Sequence, residues 1–158
     1  MVRINKILAC VDLSDYSQRT MEYSVVMARG LMAEIIVLNV INVREIEAIR
    51  TVANYYPEHI NIDRFIEKTK ADRFSRIQTL ISEHFSPDSN RITSLVEIGV
   101  PFRSILEVID REKIDVVVQG SKGRSNTPGT MFGSHAEKVF RHSPVPVFSI
   151  RSGATHTR

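Results

Sequence analysis

The 158-residue chain has one cysteine, Cys10. That excludes a disulfide framework, a cysteine-based metal cluster and a CxxC redox motif, and makes a reducing compartment the expectation. Long apolar runs are missing too. The first, Ile7 to Val11, stops at Asp12. It is too short for a signal-peptide core, and nothing approaches the roughly 20 apolar residues of a membrane span. The expected location is cytoplasmic, with no membrane partner. Charge of one sign is scarce: 21 Lys plus Arg face 18 Asp plus Glu, a net of +3, with no run of five like charges. This balance gives no electrostatic argument for nucleic acid, and the aromatics are not interleaved with Lys or Arg in a way suited to base stacking. The histidines, His59, His84, His135, His142 and His156, lack metal-ligand spacing, so no metal site built from protein ligands is expected.

The composition, 42% hydrophobic and 25% charged, is that of one globular domain. Four runs rich in β-branched residues read as strands: Ile7 to Val11, Ile35 to Val43, Ile114 to Val118 and Val145 to Ile150. A weaker fifth is Ile92 to Ile98. Continuously apolar strands are expected where both sheet faces are covered, as in parallel sheets. Between them lie segments of helical period, carried by Met21, Val25, Ala28 and Met32, by Phe74, Ile77, Ile81 and Phe85, and by Phe102, Ile105 and Ile109. Ser14 is a candidate N-cap, Gly30 lies near a helix end, and Pro101 suits a first helical position.

The predicted order is strand 4–12, helix 15–30, strand 34–41, helix 61–85, strand 91–98, helix 101–112, strand 114–119, helix 134–141, strand 145–150. This alternation implies right-handed βαβ units and a doubly wound α/β sheet. Residues 42–60 and 120–133 form connections too long for turns, and such loops are usually functional or mobile. The first, with at most a turn of helix, is read either as a lid or as a variable insertion. The domain is expected to span 1–151, with a fraying polar tail at 152–158.

Four of the seven glycines, Gly120, Gly123, Gly129 and Gly133, fall in one short stretch. It leaves the carboxyl end of a predicted strand and ends at a helix N-terminus, where open α/β sheets bind ligands. Glycines let the backbone approach an anion, and the free amides and positive helix end attract it. Lys122 and Arg124 add cations and Ser134 a hydroxyl, so the stretch suits a phosphate chain. Ser134-His-Ala-Glu137 is also a capping box. Neither a Walker loop nor the G-x-G-x-x-G dinucleotide fingerprint is present, so hydride chemistry has no support. Asp12 could accept hydrogen bonds from a base or ribose, or could help cap the first helix. Cys10 reads as a small buried hydrophobe. His135 would lie near a bound phosphate. No catalytic base can be assembled, and no catalytic residue is assigned.

The sequence resembles the universal stress protein family. The stretch Lys6-Ile-Leu-Ala-Cys-Val-Asp-Leu-Ser-Asp-Tyr-Ser17 is similar to its first strand and turn, Val37-Leu-Asn-Val40 to its second strand, and Gly99-Val-Pro-Phe-Arg-Ser-Ile105 to its G-x-P-x-x-x-I step. Gly120-x2-Gly123-x9-Gly133-Ser134 fits the G-x2-G-x9-G-S/T signature of the ATP-binding branch. The resemblance implies a Rossmann-like, adenine nucleotide alpha hydrolase-like fold: five parallel strands in order 3-2-1-4-5 with helices on both faces. It also implies a homodimer, often through the last strand, here Val145 to Ile150. ATP is implied with adenine near Asp12 and Val40 and phosphates on Gly120, Gly123, Gly133 and Ser134, with Mg²⁺ on the phosphates. By position, Val11 would flank the base or ribose, and Lys122 and His135 would face the ribose-phosphate region. Leu13 stands where many members have Gly, Asn39 where many have His, and Gln119 where an apolar residue is common.

The expectation is thus an ATP-binding stress-response sensor or switch with slow or no hydrolysis and an unidentified protein partner. The alternatives are a slow ATPase or phosphotransferase completed by the 42–60 segment, and a partner-binding module holding another adenine nucleotide.

Overall fold

The computed structural model describes residues 1–122 and 133–151. Gly123, Gly129, Arg124 and the tail 152–158 therefore lie outside the described residues. The chain runs β1 (Lys6–Cys10), α1 (Tyr16–Leu31), β2 (Glu34–Asn42), α2 (Val43–Tyr55), α3 (Ile62–His84), a 3-10 helix (Ser86–Arg91) and β3 (Ile92–Gly99). It continues through α4 (Pro101–Glu112), β4 (Val116–Gly120), α5 (Ser134–His142) and β5 (Val147–Ile150). The sheet order is β3-β2-β1-β4-β5, with every neighbouring pair parallel.

The apolar strands are covered on both faces. Ile7, Ala9, Val37 and Val118 pack against Met21, Val25 and Ala28 of α1 and Ile77 and Ile81 of α3. Leu8, Ile36, Leu38 and Val117 face the other way, onto Ile105, Val108 and Ile109 of α4 and Val139 of α5. The period of two along each strand separates these layers. From β1 the chain winds outward through β2 and β3 with α1 and α3 on one face. It then returns to β4 and β5 with α4 and α5 on the other. The winding reverses between β1 and β4, so their carboxyl ends open a crevice between diverging connections.

The main correction to the sequence reading is α2. The 42–60 segment holds a 13-residue helix rather than a turn. The Asn42 side chain accepts from the Arg44 amide at 3.1 Å and caps it. Only Ile46 is buried, so the apolar stripe is too thin to stand out among Arg and Glu. Pro57 restricts Tyr56 away from helical angles, and the helix ends before it. Phe74, expected to face the sheet, is 45% exposed. Only Ile77 and Ile81 of α3 are buried; the helix also packs on α2.

Smaller differences have local causes. Helix α1 passes through Gly30 and turns instead at Met32 (φ 56°), whose amide bonds to Ala28 O. Strand β5 starts at Val147 rather than Val145 because Pro144 and Pro146 have no amide hydrogen. The Pro146 carbonyl still accepts from Val117 at 2.9 Å. At the amino edge of the sheet, the 3-10 helix carries Asp88, 3% exposed. The Arg29 guanidinium grips it from the end of α1, with Arg91 at 3.5 Å. No helix among the described residues is long and apolar enough to cross a membrane.

Candidate functional site

At the carboxyl edge the crevice widens into a cleft of about 330 Å³, within the size range of small-molecule sites. One end is apolar: Leu38 and Val40 of β2, Cys10 of β1, and Pro101 and Ile105 of α4 line it. The other end, across β1, is polar: Gly120, Lys122, Gly133, Ser134 and His135 line it from β4 and the start of α5. Asp12, Ser17 and Thr20 line the cleft from the turn after β1 and the first turns of α1.

Asp12 organises that turn. Its Oδ1 accepts from the Ser14 amide at 3.0 Å, the Ser14 hydroxyl at 2.6 Å and the Ser17 hydroxyl at 3.3 Å. Ser14 is therefore not the N-cap; that position is Asp15, which makes no side-chain cap bond. Between Asp12 and Ser14, Leu13 adopts φ 61°, a left-handed conformation costing a branched residue about 1–2 kcal/mol. The Arg76 side chain of α3 donates to its carbonyl at 2.9 Å. The Val11 carbonyl accepts from the Asn39 amide at 2.8 Å, tying the ends of β1 and β2 together.

On the polar side, Gly120 ends β4, and a Cβ there would meet the Lys122 carbonyl at 3.2 Å. Buried Ser121 turns the chain: its amide bonds to Ile150 O at 2.8 Å, and its carbonyl accepts the Gly133 amide at 2.7 Å. The Gly133 amide, expected on a phosphate, is thus engaged in closing the loop. Gly133 is the N-cap of α5, and the first intrahelical bond is Glu137 N to Gly133 O at 3.0 Å. The amides of Ser134, His135 and Ala136 therefore have no acceptor within the helix. The Ser134–Glu137 capping box does not form: Ser134 lies inside the helix, and Glu137 pairs with Arg141 at 2.9 Å. Gln119, 4% exposed, donates to the Ala136 carbonyl at 2.9 Å and anchors the first turn of α5 to the sheet.

Helix α2 completes the rim. Its cap Asn42 and first-turn Glu45 line the cleft, and Arg73 of α3 pairs with Glu45 at 3.3 Å. His135 is held below the usual histidine range, first by burial and then by the cations Lys138 and Arg44. Its buried Nδ1 has no hydrogen-bond partner among the described residues. Burial pushes the Cys10 thiol up to about 12, so it stays neutral at physiological pH. No group of three or more His, Cys, Asp or Glu able to hold a metal comes together among the described residues.

The cleft thus brings together Val11, Asp12, Val40, Gly120, Lys122, Gly133, Ser134 and His135; Gly123 falls outside the described residues. Sequence reasoning missed Ser17, Thr20, Asn42 and Glu45. Asn42 as a cap ahead of Glu45 would have disclosed α2 and its contribution. The hydroxyls of α1 carry no signal until the helix is placed.

The sequence profile of the universal stress protein family matches residues 3–151. The chain is 28% identical over 152 residues to Universal stress protein YxiE of Bacillus subtilis, covering 93% of this chain and 99% of that one. It is 21% identical over 157 residues to Universal stress protein MJ0577 of Methanocaldococcus jannaschii, covering 95% and 96%. The solved structure of MJ0577 superposes with a TM-score of 0.75, covering 98% of this chain and all of that one. A universal stress protein solved in complex with cAMP matches at a TM-score of 0.60 and 19% identity, covering 95% and 98%.

Proposed function

The chain belongs to the universal stress protein family, and from that premise we propose that it is a stress-response sensor or switch that binds ATP in this cleft. The observation carrying the proposal is the two-ended cleft at the reversal of sheet winding. Its apolar end, Leu38, Val40, Pro101 and Ile105, suits a flat base. Its polar end, with Gly120, Lys122 and the α5 amides of Ser134 and His135, suits phosphates. Asp12 and Val11, between these ends, suit the ribose or base edge. A structural relative in complex with cAMP supports an adenine nucleotide as the ligand class. Mg²⁺ accompanying a triphosphate would take its ligands from phosphate and water.

The test is to denature protein purified without added nucleotide, identify released small molecules by mass spectrometry, and titrate Mg-ATP by calorimetry. An adenine nucleotide in the extract and saturable ATP binding are expected. An empty protein indifferent to millimolar ATP would overturn the proposal in favour of an interaction module. A second reading, slow ATP hydrolysis, is favoured by Glu45, a carboxylate that the 42–60 segment brings to the cleft. Phosphate release above background and lost in Glu45→Gln would establish it.

We further propose that the chain is a homodimer paired through β5. The sheet order leaves β5 at an edge, where Phe148 is 43% exposed and its ring meets Tyr23 at a tilt, centroids 5.6 Å apart. An exposed apolar edge strand is a template for pairing. Sedimentation velocity should give a dimer for the native chain and a monomer for Phe148→Asp. A monomeric native chain would sink the proposal.

A further inference from the structure

We propose that His135 is a phosphate-recognition residue whose imidazole takes up a proton when a nucleotide's phosphates enter the cleft, so that phosphorylated nucleotides bind more tightly as the pH falls from 8 to 6. The inference rests on the nucleotide reading above and adds to it a recognition group and a pH dependence.

His135 is the second residue of α5 and lines the polar end of the cleft beside Ser134 and Gly133. Its Nδ1 is buried and has no hydrogen-bond partner among the described residues. A buried ring nitrogen without a partner is costly, and because the residue lines the cleft, an anion bound there would supply a partner once the ring turns toward it. As an imidazolium, the ring presents two donors and a charge, where neutral imidazole presents one donor.

The charged surroundings fix the direction of the effect. On α5 itself, Lys138 lies one turn on and disfavours protonation. From α2, Arg44 does the same, while Glu45 lines the cleft from the same turn. Lys122 lines the cleft after β4 and Asp12 after β1, whereas the α4 residues lining it, Pro101 and Ile105, carry no charge. The positive end of α5 adds further opposition to the imidazolium. Burial, nearby cations and the helix end therefore favour the neutral ring in the empty protein. A polyphosphate reverses that field, because its charges sit where the cations act and favour the protonated ring.

Linkage sets the observable. A group that gains a proton on ligand binding makes affinity rise as pH falls through the interval between its free and bound pKa values. Affinity for Mg-ATP should therefore rise severalfold between pH 8 and pH 6. Calorimetry in two buffers of different ionisation enthalpy should then record net uptake of a fraction of a proton per nucleotide near pH 7. Adenosine, which lacks phosphates, should show neither effect. His135→Gln keeps a hydrogen-bonding side chain but cannot titrate, so its Mg-ATP profile should be flat relative to the native protein, whatever its absolute affinity. Saturable ATP binding with no proton uptake, or a His135→Gln profile identical to the native one, overturns the role of His135 and leaves the nucleotide reading standing. No ATP binding at either pH overturns the nucleotide reading itself.

Discussion

Ser134→Asp should weaken Mg-ATP binding about 100-fold, roughly 2.7 kcal/mol, while leaving the fold as stable as before or slightly more so. Ser134 is exposed at the first position of α5. A carboxylate in the first turn interacts favourably with the helix dipole, adding about 0.3–1 kcal/mol of stability. The same charge would face the phosphates. Two unit charges about 4 Å apart repel by roughly 4 kcal/mol at the effective dielectric of a protein surface, and salt screening leaves about 2–3 kcal/mol of that. The opposite signs make the result diagnostic, since damage to the fold would lower stability and affinity together. Adenosine should bind the variant almost as well as the native protein. Undiminished ATP affinity would mean that the phosphates do not lie at the start of α5.

How much of this was legible in the sequence follows from what each element buries. The β1, β2 and β4 strands are enclosed on both faces, so their apolar runs are continuous and readable, down to the parallel pairing. The edge strand β3 is only partly buried along its length, which is why Ile92 to Ile98 gave a weaker signal. Helix α2 buries one side chain, Ile46, and periodicity has little to register where so little is buried. Left-handed turns at Leu13, Met32 and Lys113 occupy positions where glycine would be the expected residue, so turn chemistry pointed to Gly30 instead. At the site, the glycine cluster located the polar end and the G-V-P step the start of α4, because those residues answer to backbone geometry. What stayed hidden is pairwise: the Ser121 carbonyl closing on Gly133, or Gln119 reaching Ala136. Such contacts join segments far apart in the chain and leave no local pattern.

Asp88→Ala should destabilise the protein by about 2–3 kcal/mol at pH 7, lowering the melting temperature by roughly 5–10 °C for a domain of this size. Asp88 is 3% exposed and its carboxylate accepts two bonds from Arg29, Nε at 3.0 Å among them, so its loss removes charge-assisted bonds worth about 1.5–3 kcal/mol. The Arg29 side chain is 57% exposed. Water can therefore solvate the abandoned cation, and the larger cost of stranding a fully buried charge does not apply. The hydrogen bond from Arg29 holds the Asp88 carboxyl below the usual range, against the opposing effect of burial, with the Arg29 and Arg91 charges assisting. Because the folded value lies below the unfolded one, about 3.9, this stabilisation is fully present above that value and is lost as the pH falls through the folded value. Melting curves of the native and variant proteins should therefore differ at pH 7 and converge in strong acid. A constant gap across that range would assign the effect to packing alone. The pair joins the end of α1 to the 3-10 helix before β3, at the edge of the sheet opposite the cleft. Asp88→Ala should accordingly leave ATP affinity unchanged in the folded protein, the reverse of Ser134→Asp, because the amino edge holds the sheet together and the carboxyl edge carries the ligand.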